Sequence, residues 1–190
     1  MNNKNVLTVL LVLLLSAGMT KAQNSGKGLI DVILSGYSVK MFTSEPVSDN
    51  DIDLILKCGI KAPSARNSQL WKFTVVKDTT LIDELIPKIT RGNILIVVSG
   101  LDPNPDGINV YFDCALATEN MFIAAQSLGL GGHIYTGPVK NINATKLKLL
   151  ELPEGYKVIS VLRVGTVDRN VDAVTSASAR KAPEEIVNYK

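Results

Sequence analysis

Hydrophobic and polar positions along the chain form helical and strand-like patterns in a mixed order, without an internal repeat. Apolar residues recur at helical spacing in three main stretches, at 27–35, 48–61 and 108–128. Short apolar runs typical of strands occupy 71–76, 94–98, 133–135 and 158–164. Because helices and strands do not alternate strictly, the order predicts an α+β fold or a three-layer arrangement rather than a series of βαβ units.

The longest helical pattern runs from Ile108 to Leu128 and carries two apolar stripes. The members of the stripes are Ile108, Tyr111, Phe112, Ala115 and Phe122 in one, and Val110, Cys114, Ala117, Met121, Ala125 and Leu128 in the other. A helix that is apolar on nearly all sides is expected to be central. In a domain of this size we also expect a partner chain to cover part of it. The pattern ends in glycines, where the backbone can approach another group closely.

The second helical stretch has a capping pattern, with Ser48 or Asp49 as the cap and Asp51 three residues after Ser48. Pro63 is expected to stop this helix. Residues 62–73 then read Ala-Pro-Ser-Ala-Arg-Asn-Ser-Gln-Leu-Trp-Lys-Phe and hold the only tryptophan. Small residues, turns and neutral hydrogen-bonding side chains allow this segment to lie against a planar polar ligand and to bond its edge.

The first 22 residues have the pattern of a secretory signal peptide. Lys4 precedes an apolar run from Val6 to Leu15, and small residues follow up to Ala22. The run is too short to span a bilayer, so we predict cleavage after Ala22 and a folded domain at 23–190. The alternative is an uncleaved anchor. No cysteine follows the run for lipid attachment, so we expect an exported protein, periplasmic or secreted, without a stable membrane anchor.

Composition excludes some classes of function. The leader holds two of the 20 basic residues and none of the 18 acidic ones, which leaves 18 of each sign at 23–190. This neutral balance argues against a nucleic-acid partner. Cys58 and Cys114 lie in apolar helical surroundings, where they are small buried residues or, in an exported protein, a disulfide. Two cysteines and one histidine cannot make a four-ligand zinc site, so no metal is expected.

Four segments resemble the motifs of the nitroreductase-like flavoprotein family. Residues 37–42, Tyr-Ser-Val-Lys-Met-Phe, look like its Arg-x-Ser-x-Arg/Lys-x-Phe opening, and 62–73 resemble its Ala-Pro-Ser-x-x-Asn-x-Gln-Pro-Trp-x-Phe signature. The helix end at 124–132 and the tail Arg-Lys-Ala-Pro-Glu-Glu-Ile-Val at 180–187 are similar to its last two motifs. The resemblance covers about residues 27–190, and the second motif is the specific one.

The resemblance implies a nitroreductase-like α-β-α sandwich with a central, mainly antiparallel sheet, a long central helix and a C-terminal arm exchanged in a homodimer. It implies FMN bound in two sites at the subunit interface. No side chain is expected to be catalytic, because the flavin carries the redox chemistry. NAD(P)H or another donor would supply electrons, and a nitroaromatic, quinone or similar small acceptor would take them.

The resemblance also assigns roles at the phosphate end of the flavin. Ser38 would approach the phosphate. Lys40 would lie near the ribityl chain and the pyrimidine side of the ring, where a cation stabilises the negative charge of the reduced flavin. Arg180 or Lys181 would pair with the phosphate, and an offset of one residue leaves both as candidates.

The remaining predicted contacts surround the ring. In the site shared with the other subunit, the isoalloxazine would be lined by Pro63, Ser64, Ala65, Asn67 and Gln69. Gly131 and Gly132 would bring backbone N–H groups near the ring. His133 follows these glycines and is expected to be structural rather than catalytic.

Two departures from the family pattern favour an alternative function. Gly36 stands where the family has its first arginine, which removes one phosphate partner, and Leu70 replaces the proline of the signature. An exported enzyme would also meet little NAD(P)H. The alternative is therefore an exported protein of the same fold that binds a flavin or another planar ligand without NAD(P)H turnover.

Overall fold

A four-stranded antiparallel sheet with the strand order β1-β2-β4-β3 lies at the centre of the fold. We describe residues 28–170 and 179–190 from a computed structural model; the predicted signal peptide lies outside these residues. The strands are β1 (Trp71–Val76), β2 (Ile94–Leu101), β3 (Gly131–Tyr135) and β4 (Tyr156–Gly165). All four runs that the apolar pattern marked as strands are therefore confirmed, with ends extended by two or three residues in three of them.

Helices cover both faces of the sheet. They are α1 (Leu29–Ser35), α2 (Asp49–Ile60), α3 (Thr79–Leu85), α4 (Val110–Ser127), α5 (Val139–Thr145) and α6 (Pro183–Ile186), with 3-10 turns at Ala65–Asn67 and Leu147–Leu150. Ser48 caps α2 as predicted, because its side chain accepts the N–H of Asp51. Asp78 caps α3, because its side chain accepts the N–H of Leu81.

The core has two halves because β2 alternates its side chains between the two faces of the sheet. Ile94, Ile96 and Val98 pack with α2 and α4 on one face. Leu95 and Val97 pack on the other face, with residues of α3, α5 and β4. The arrangement is a three-layer α-β-α sandwich around an antiparallel sheet, and the predicted fold class is confirmed.

Helix α4 is buried along one stripe only. Val110, Cys114, Ala117, Met121 and Ala125 are at most 1% exposed and form the inner stripe. On the other stripe, Tyr111 is 50% and Phe112 61% exposed. The prediction of a helix covered on nearly all sides therefore does not hold within one chain. Helix α1 likewise exposes four of its five apolar residues, namely Leu29, Ile30, Ile33 and Leu34, whereas Val32 is buried.

Close packing of α2 on α4 explains why the predicted burial of Cys58 is wrong. Gly59 lies so near Met121 that a Cβ at position 59 would stand 2.6 Å from Met121 Cγ. This contact sets the buried stripe at Ile52, Ile55 and Gly59. Residues beside Gly59 are turned to the flanks of the helix, so Ile60 is 55% exposed and Cys58 is exposed as a free thiol. Cys114 is the buried free thiol, and the two form no disulfide.

Short elements near the surface complete the fold. Between β3 and β4 the chain forms α5 and the 3-10 turn at Leu147–Leu150. The tail forms one helical turn at Pro183–Ile186, and all residues from 179 to 190 are exposed. Within the described residues, no helix combines the length and the apolar character needed to cross a membrane.

Candidate functional site

The segment with Ser38 and Lys40 runs beside β3, next to the predicted glycines. The N–H of Val39 donates to the carbonyl of Gly132 at 3.0 Å, and Nδ1 of His133 lies 3.0 Å from the carbonyl of Val39. Val39 is buried, whereas Ser38 and Lys40 are exposed on either side of it. The structure thus brings together two of the four predicted segments and leaves the polar side chains of the first one accessible.

A buried arginine fixes the end of this segment to the sheet. Arg163 on β4 donates from Nε to Asn93 Oδ1 at 2.7 Å, and its guanidinium carbon lies 3.9 Å from the ring centroid of Phe42. The Asn93 side chain in turn donates to the carbonyl of Thr43 at 3.1 Å. Sequence reasoning missed this role, although an arginine inside a buried strand run is itself a signal that it has polar partners.

Gly131 and Gly132 are required by packing within the chain. A Cβ at position 131 would lie 2.9 Å from both Phe42 Cε1 and Val39 Cγ2. At position 132 it would lie 2.6 Å from Phe122 Cδ2. These glycines allow β3 to contact both the Ser38–Lys40 segment and α4. Their predicted N–H contacts with the ring stay a prediction.

Gly36 is also closely packed. A Cβ there would lie 2.7 Å from Gln126 Oε1 and 3.0 Å from the carbonyl oxygen of Val32. A cleft of about 280 Å³ opens beside it, with Tyr37, Gln126 and Arg169 among its lining residues. The side chain of Gln126 therefore fills the space where a larger residue at position 36 would begin.

The signature loop between α2 and β1 has an unusual backbone. Arg66, Asn67 and Gln69 have φ angles of 54°, 54° and 49°. Residues other than glycine rarely adopt this left-handed region. Hydrogen bonds hold the turn, from the N–H of Asn67 to the carbonyl of Ser64 at 3.0 Å and from the N–H of Gln69 to Ser64 Oγ at 3.2 Å. Pro63, Ala65, Asn67 and Gln69 are exposed, and Ser64 is half-buried.

A buried carboxylate on α4 anchors the same loop. The N–H of Ala65 donates to Asp113, whose two oxygens are both 3.1 Å from the nitrogen. Asp113 is only 2% exposed. The sequence carries a signal for this role, because Asp113 stands directly before Cys114, a member of the inner apolar stripe of α4. A carboxylate at such a position needs donors.

The two groups of predicted contacts lie at diagonally opposite corners of the sheet. Trp71, which follows the loop, pairs with Gly100, and Gly132 pairs with Val164, which is the β4 partner of Ile94. The two corners are separated by six residues along β2, which is about 20 Å, and by three strand spacings across the sheet, which is about 14 Å. Within one chain, the loop and the Ser38–Lys40 segment cannot face the same small ligand.

The last predicted pair lies in the tail. Arg180 and Lys181 are both exposed, just before α6. Their contact with a phosphate stays a prediction. In the part of the chain that the structure describes, no group of three or more histidine, cysteine or acidic side chains is placed to hold a metal ion.

Comparison with known proteins gives consistent results. The nitroreductase family pattern matches residues 33–99. A protein of Archaeoglobus fulgidus, provisionally named NADH dehydrogenase/NAD(P)H nitroreductase, is 33% identical over 147 residues, which cover 72% of this chain and 83% of that protein. A crystal structure from Bacteroides thetaiotaomicron with the same provisional name has a TM-score of 0.72 at 27% identity, and the match covers 87% of this chain and 98% of that one.

A third relative carries a ligand. The crystal structure of a nitroreductase with bound FMN from Bacteroides fragilis has a TM-score of 0.72 at 21% identity, over 86% of this chain and 98% of that chain. At this identity the likeness concerns the fold. The archaeal relative, in contrast, is similar in sequence over most of its own length. That similarity, with a family pattern that includes the strained loop, shows that the chain belongs to the nitroreductase family.

Proposed function

We propose that the protein is an FMN-dependent oxidoreductase that passes electrons from NAD(P)H or another donor to a nitroaromatic, quinone or similar acceptor. Relatives named as NAD(P)H nitroreductases and a related fold with bound FMN support this proposal. The observation that carries it is the diagonal separation of the strained loop from the Ser38–Lys40 segment. A flavin can contact both surfaces only if two chains build the site together.

The side chains on these surfaces fit the two ends of FMN. Ser38 and Lys40 are exposed beside β3, where a hydroxyl donor and a cation suit a phosphate and a negatively charged ring edge. The loop offers amide groups at Asn67 and Gln69, which suit the edge of a planar heterocycle. When bound, the flavin would supply hydride and electron transfer. The chain would bind and orient it, and would hold a donor or acceptor against its face.

Two features of the surface support a homodimer. Tyr111 and Phe112 on α4 are exposed, as are four of the five apolar residues of α1, and exposed apolar surface of this kind is typical of an interface. Strand β1 is an edge strand whose ladder partner among the described residues is β2. The tail exposes Val187 and Tyr189, and we propose that it crosses to the other subunit as an exchanged arm.

Cofactor content and turnover test the proposed function. The purified protein is expected to be yellow with about one FMN per chain, to be bleached anaerobically by NADH or NADPH, and to regain its colour on addition of a nitroaromatic or quinone. If bound FMN is reduced by neither nucleotide, the alternative of an exported flavin-binding protein is supported. A colourless protein that gains no thermal stability from FMN would contradict both.

Mixed dimers test the shared site. One variant carries Asn67→Ala and Gln69→Ala in the loop, and the other carries Ser38→Ala and Lys40→Ala. Each is expected to bind FMN weakly alone. If two chains build each site, mixing restores one intact site per mixed dimer. FMN content then rises to half of one per chain in the isolated mixed dimer, and to about a quarter in an unseparated, randomly paired mixture. Failure of the mixture to regain FMN, with mixed dimers shown by differential tagging, would contradict a shared site.

We further propose that the protein is exported and cleaved near Ala22. This rests on the leader pattern alone, which lies outside the described residues. Expression of the full chain followed by fractionation and N-terminal sequencing is expected to find a chain in the periplasm or medium that begins at Gln23. An uncleaved chain in the membrane fraction would support the anchor instead.

A further inference from the structure

Arg66 stands at a position in the signature loop that favours glycine. Its φ and ψ angles are 54° and 19°, inside the left-handed region. An arginine there is strained, whereas glycine adopts the conformation readily. Backbone strain of this kind concentrates at ligand-binding and catalytic sites, where the surrounding structure enforces it. The identity of the residue at position 66 therefore calls for a functional reason.

Hydrogen bonds hold the backbone of the loop on both sides of Arg66, and the Arg66 side chain is exposed to solvent. Ala65 is bonded to buried Asp113 on one side of it, and Ser68 donates its N–H to the carbonyl of Ala65 at 3.0 Å. Arg66 is exposed. Ion pairs join Lys77 with Asp49 and Lys157 with Asp102, and Arg66 takes part in neither of them.

The surrounding sequence is one-sided in charge. From position 57 to position 77 the chain has five basic residues and no acidic one; the basic residues are Lys57, Lys61, Arg66, Lys72 and Lys77. Lys77 is neutralised by Asp49, and Lys72 lies 5.6 Å from the ring centroid of Tyr156. The Asp113 carboxylate lies behind the loop, where both oxygens face the Ala65 N–H. The excess of positive charge along this stretch raises the local concentration of anionic ligands.

We infer that Arg66 makes the site selective for substrates that carry an anionic group, such as a carboxylate, sulfonate or phosphate. This rests on the proposed function, because the loop must border the flavin for Arg66 to meet a substrate. A guanidinium binds carboxylates and phosphates with two parallel hydrogen bonds, which gives geometric selectivity as well as affinity. The anionic group belongs either to the electron acceptor or to the nicotinamide donor.

Equilibrium binding to the oxidised, FMN-loaded protein tests the recognition without turnover. Benzoate and benzamide have nearly the same shape and differ in charge, so calorimetry with both isolates the effect of the anion. Wild type is expected to bind benzoate more tightly, with an advantage that shrinks as salt is added. Arg66→Gln should weaken benzoate about tenfold and benzamide less than twofold. Arg66→Lys should restore part of the loss.

Two further variants distinguish the effect of the Arg66 side chain from the effects of neighbouring charge and of backbone strain. Lys61→Gln removes a charge from the same basic stretch, outside the loop, and should change benzoate binding less than twofold. Arg66→Gly relieves the strained conformation, so it should lose benzoate as Arg66→Gln does while raising the thermal midpoint. Equal loss of benzoate and benzamide in Arg66→Gln, or a loss in Lys61→Gln as large as in Arg66→Gln, would overturn the inference.

The two half-reactions identify the source of the anion. Rapid mixing measures reduction of the bound flavin by NADH and by NADPH, and its reoxidation by 4-nitrobenzoate and by 4-nitrobenzamide. A tenfold loss for 4-nitrobenzoate alone in Arg66→Gln assigns the role to the acceptor, and a loss for NADPH alone assigns it to the donor. If wild type turns over and Arg66→Gln changes none of these rates, the inference fails and the proposed function stands. If wild type binds no FMN, both fail.

Discussion

The backbone N–H of Ala65 donates to the buried carboxylate of Asp113, with 3.1 Å from the nitrogen to each oxygen. This bond joins the signature loop to the first turn of the longest helix. It acts where the backbone is least favourable, since Arg66 follows immediately in the left-handed region. Asp113 is therefore a positioning residue for the loop, and the core helix determines where the amides of Asn67 and Gln69 lie.

Asp113→Ala should loosen the loop. The variant leaves the Ala65 N–H unpaired at a partly buried site, which costs about 1–3 kcal/mol of unfolding free energy. FMN affinity should fall about tenfold or more, because strained residues that cost about 1–3 kcal/mol each are no longer held. Urea unfolding and FMN titration measure the two effects.

Asp113→Asn and Asp53→Asn are the matched controls for this prediction. The first keeps an acceptor of the same shape and should lose less FMN affinity than Asp113→Ala. The second removes an exposed carboxylate from α2 and should change neither quantity. An Asp113→Ala variant that is destabilised but binds FMN as tightly as wild type would restrict Asp113 to a stabilising role.

In the sequence, Gly36 marks a positive charge that the family has and this chain lacks. In the structure, Gly36 is also a tightly packed position. The sequence alone predicts that Gly36→Arg tightens FMN by supplying the family's phosphate partner. The Cβ of such a variant would lie 2.7 Å from Gln126 Oε1, so the single variant is expected to be destabilised, by about 1–3 kcal/mol. Combined with Gln126→Ala, it should bind FMN about tenfold more tightly than Gln126→Ala alone, since a charge-assisted hydrogen bond contributes about 1.5–3 kcal/mol.

The FMN affinity of Gln126→Ala, measured with and without Gly36→Arg, shows whether a side chain at position 36 reaches the phosphate. FMN titration and thermal unfolding of wild type and the three variants separate the packing cost from the phosphate contact. Unchanged FMN affinity in the double variant, with stability recovered, would show that position 36 does not reach the phosphate.

The strands and the specific loop motif could be predicted from the sequence because each depends on local pattern, whereas the α-β-α sandwich is implied by the family resemblance. The run 71–76 reads as a strand and is one. The left-handed angles of Asn67 and Gln69 could not be predicted, since they depend on a bond from Ala65 to a residue 48 positions away. The exposure of Cys58 could not be predicted either, because it follows from the contact between Gly59 and Met121 on another helix.

Gly132→Ala should be strongly destabilising for a reason independent of any ligand. Its Cβ would lie 2.6 Å from Phe122 Cδ2, and overpacking of this kind costs about 1–3 kcal/mol. Phe122→Leu in the same chain should recover part of the loss. Gly137→Ala is the control, because nothing lies within 4 Å of a Cβ there. Urea unfolding of the four proteins measures the effects, and equal stability of both alanine variants would contradict the packing argument.

The buried thiol of Cys114 makes the folded chain less stable at alkaline pH. Burial, and secondarily the neighbouring Asp113 carboxylate, raises the pKa of the Cys114 thiol from 9.0 to about 12. In the unfolded chain the thiol loses its proton near its ordinary pKa, so between pH 9 and 12 the folded state binds one proton more. Folding stability must then decrease as pH rises, by up to about 1.4 kcal/mol per pH unit.

The variant Cys114→Ala should lack this decrease, although the cavity lowers its stability at every pH. Urea unfolding at pH 8, 9 and 10 should show a loss about 1 kcal/mol larger in wild type than in the variant over this range. Cys58→Ala removes an exposed thiol and should keep the wild-type slope. Ellman's reagent should modify Cys58 in the folded protein and Cys114 only after unfolding. Parallel pH profiles for wild type and Cys114→Ala would mean that the Cys114 thiol ionises in the fold as readily as in the unfolded chain.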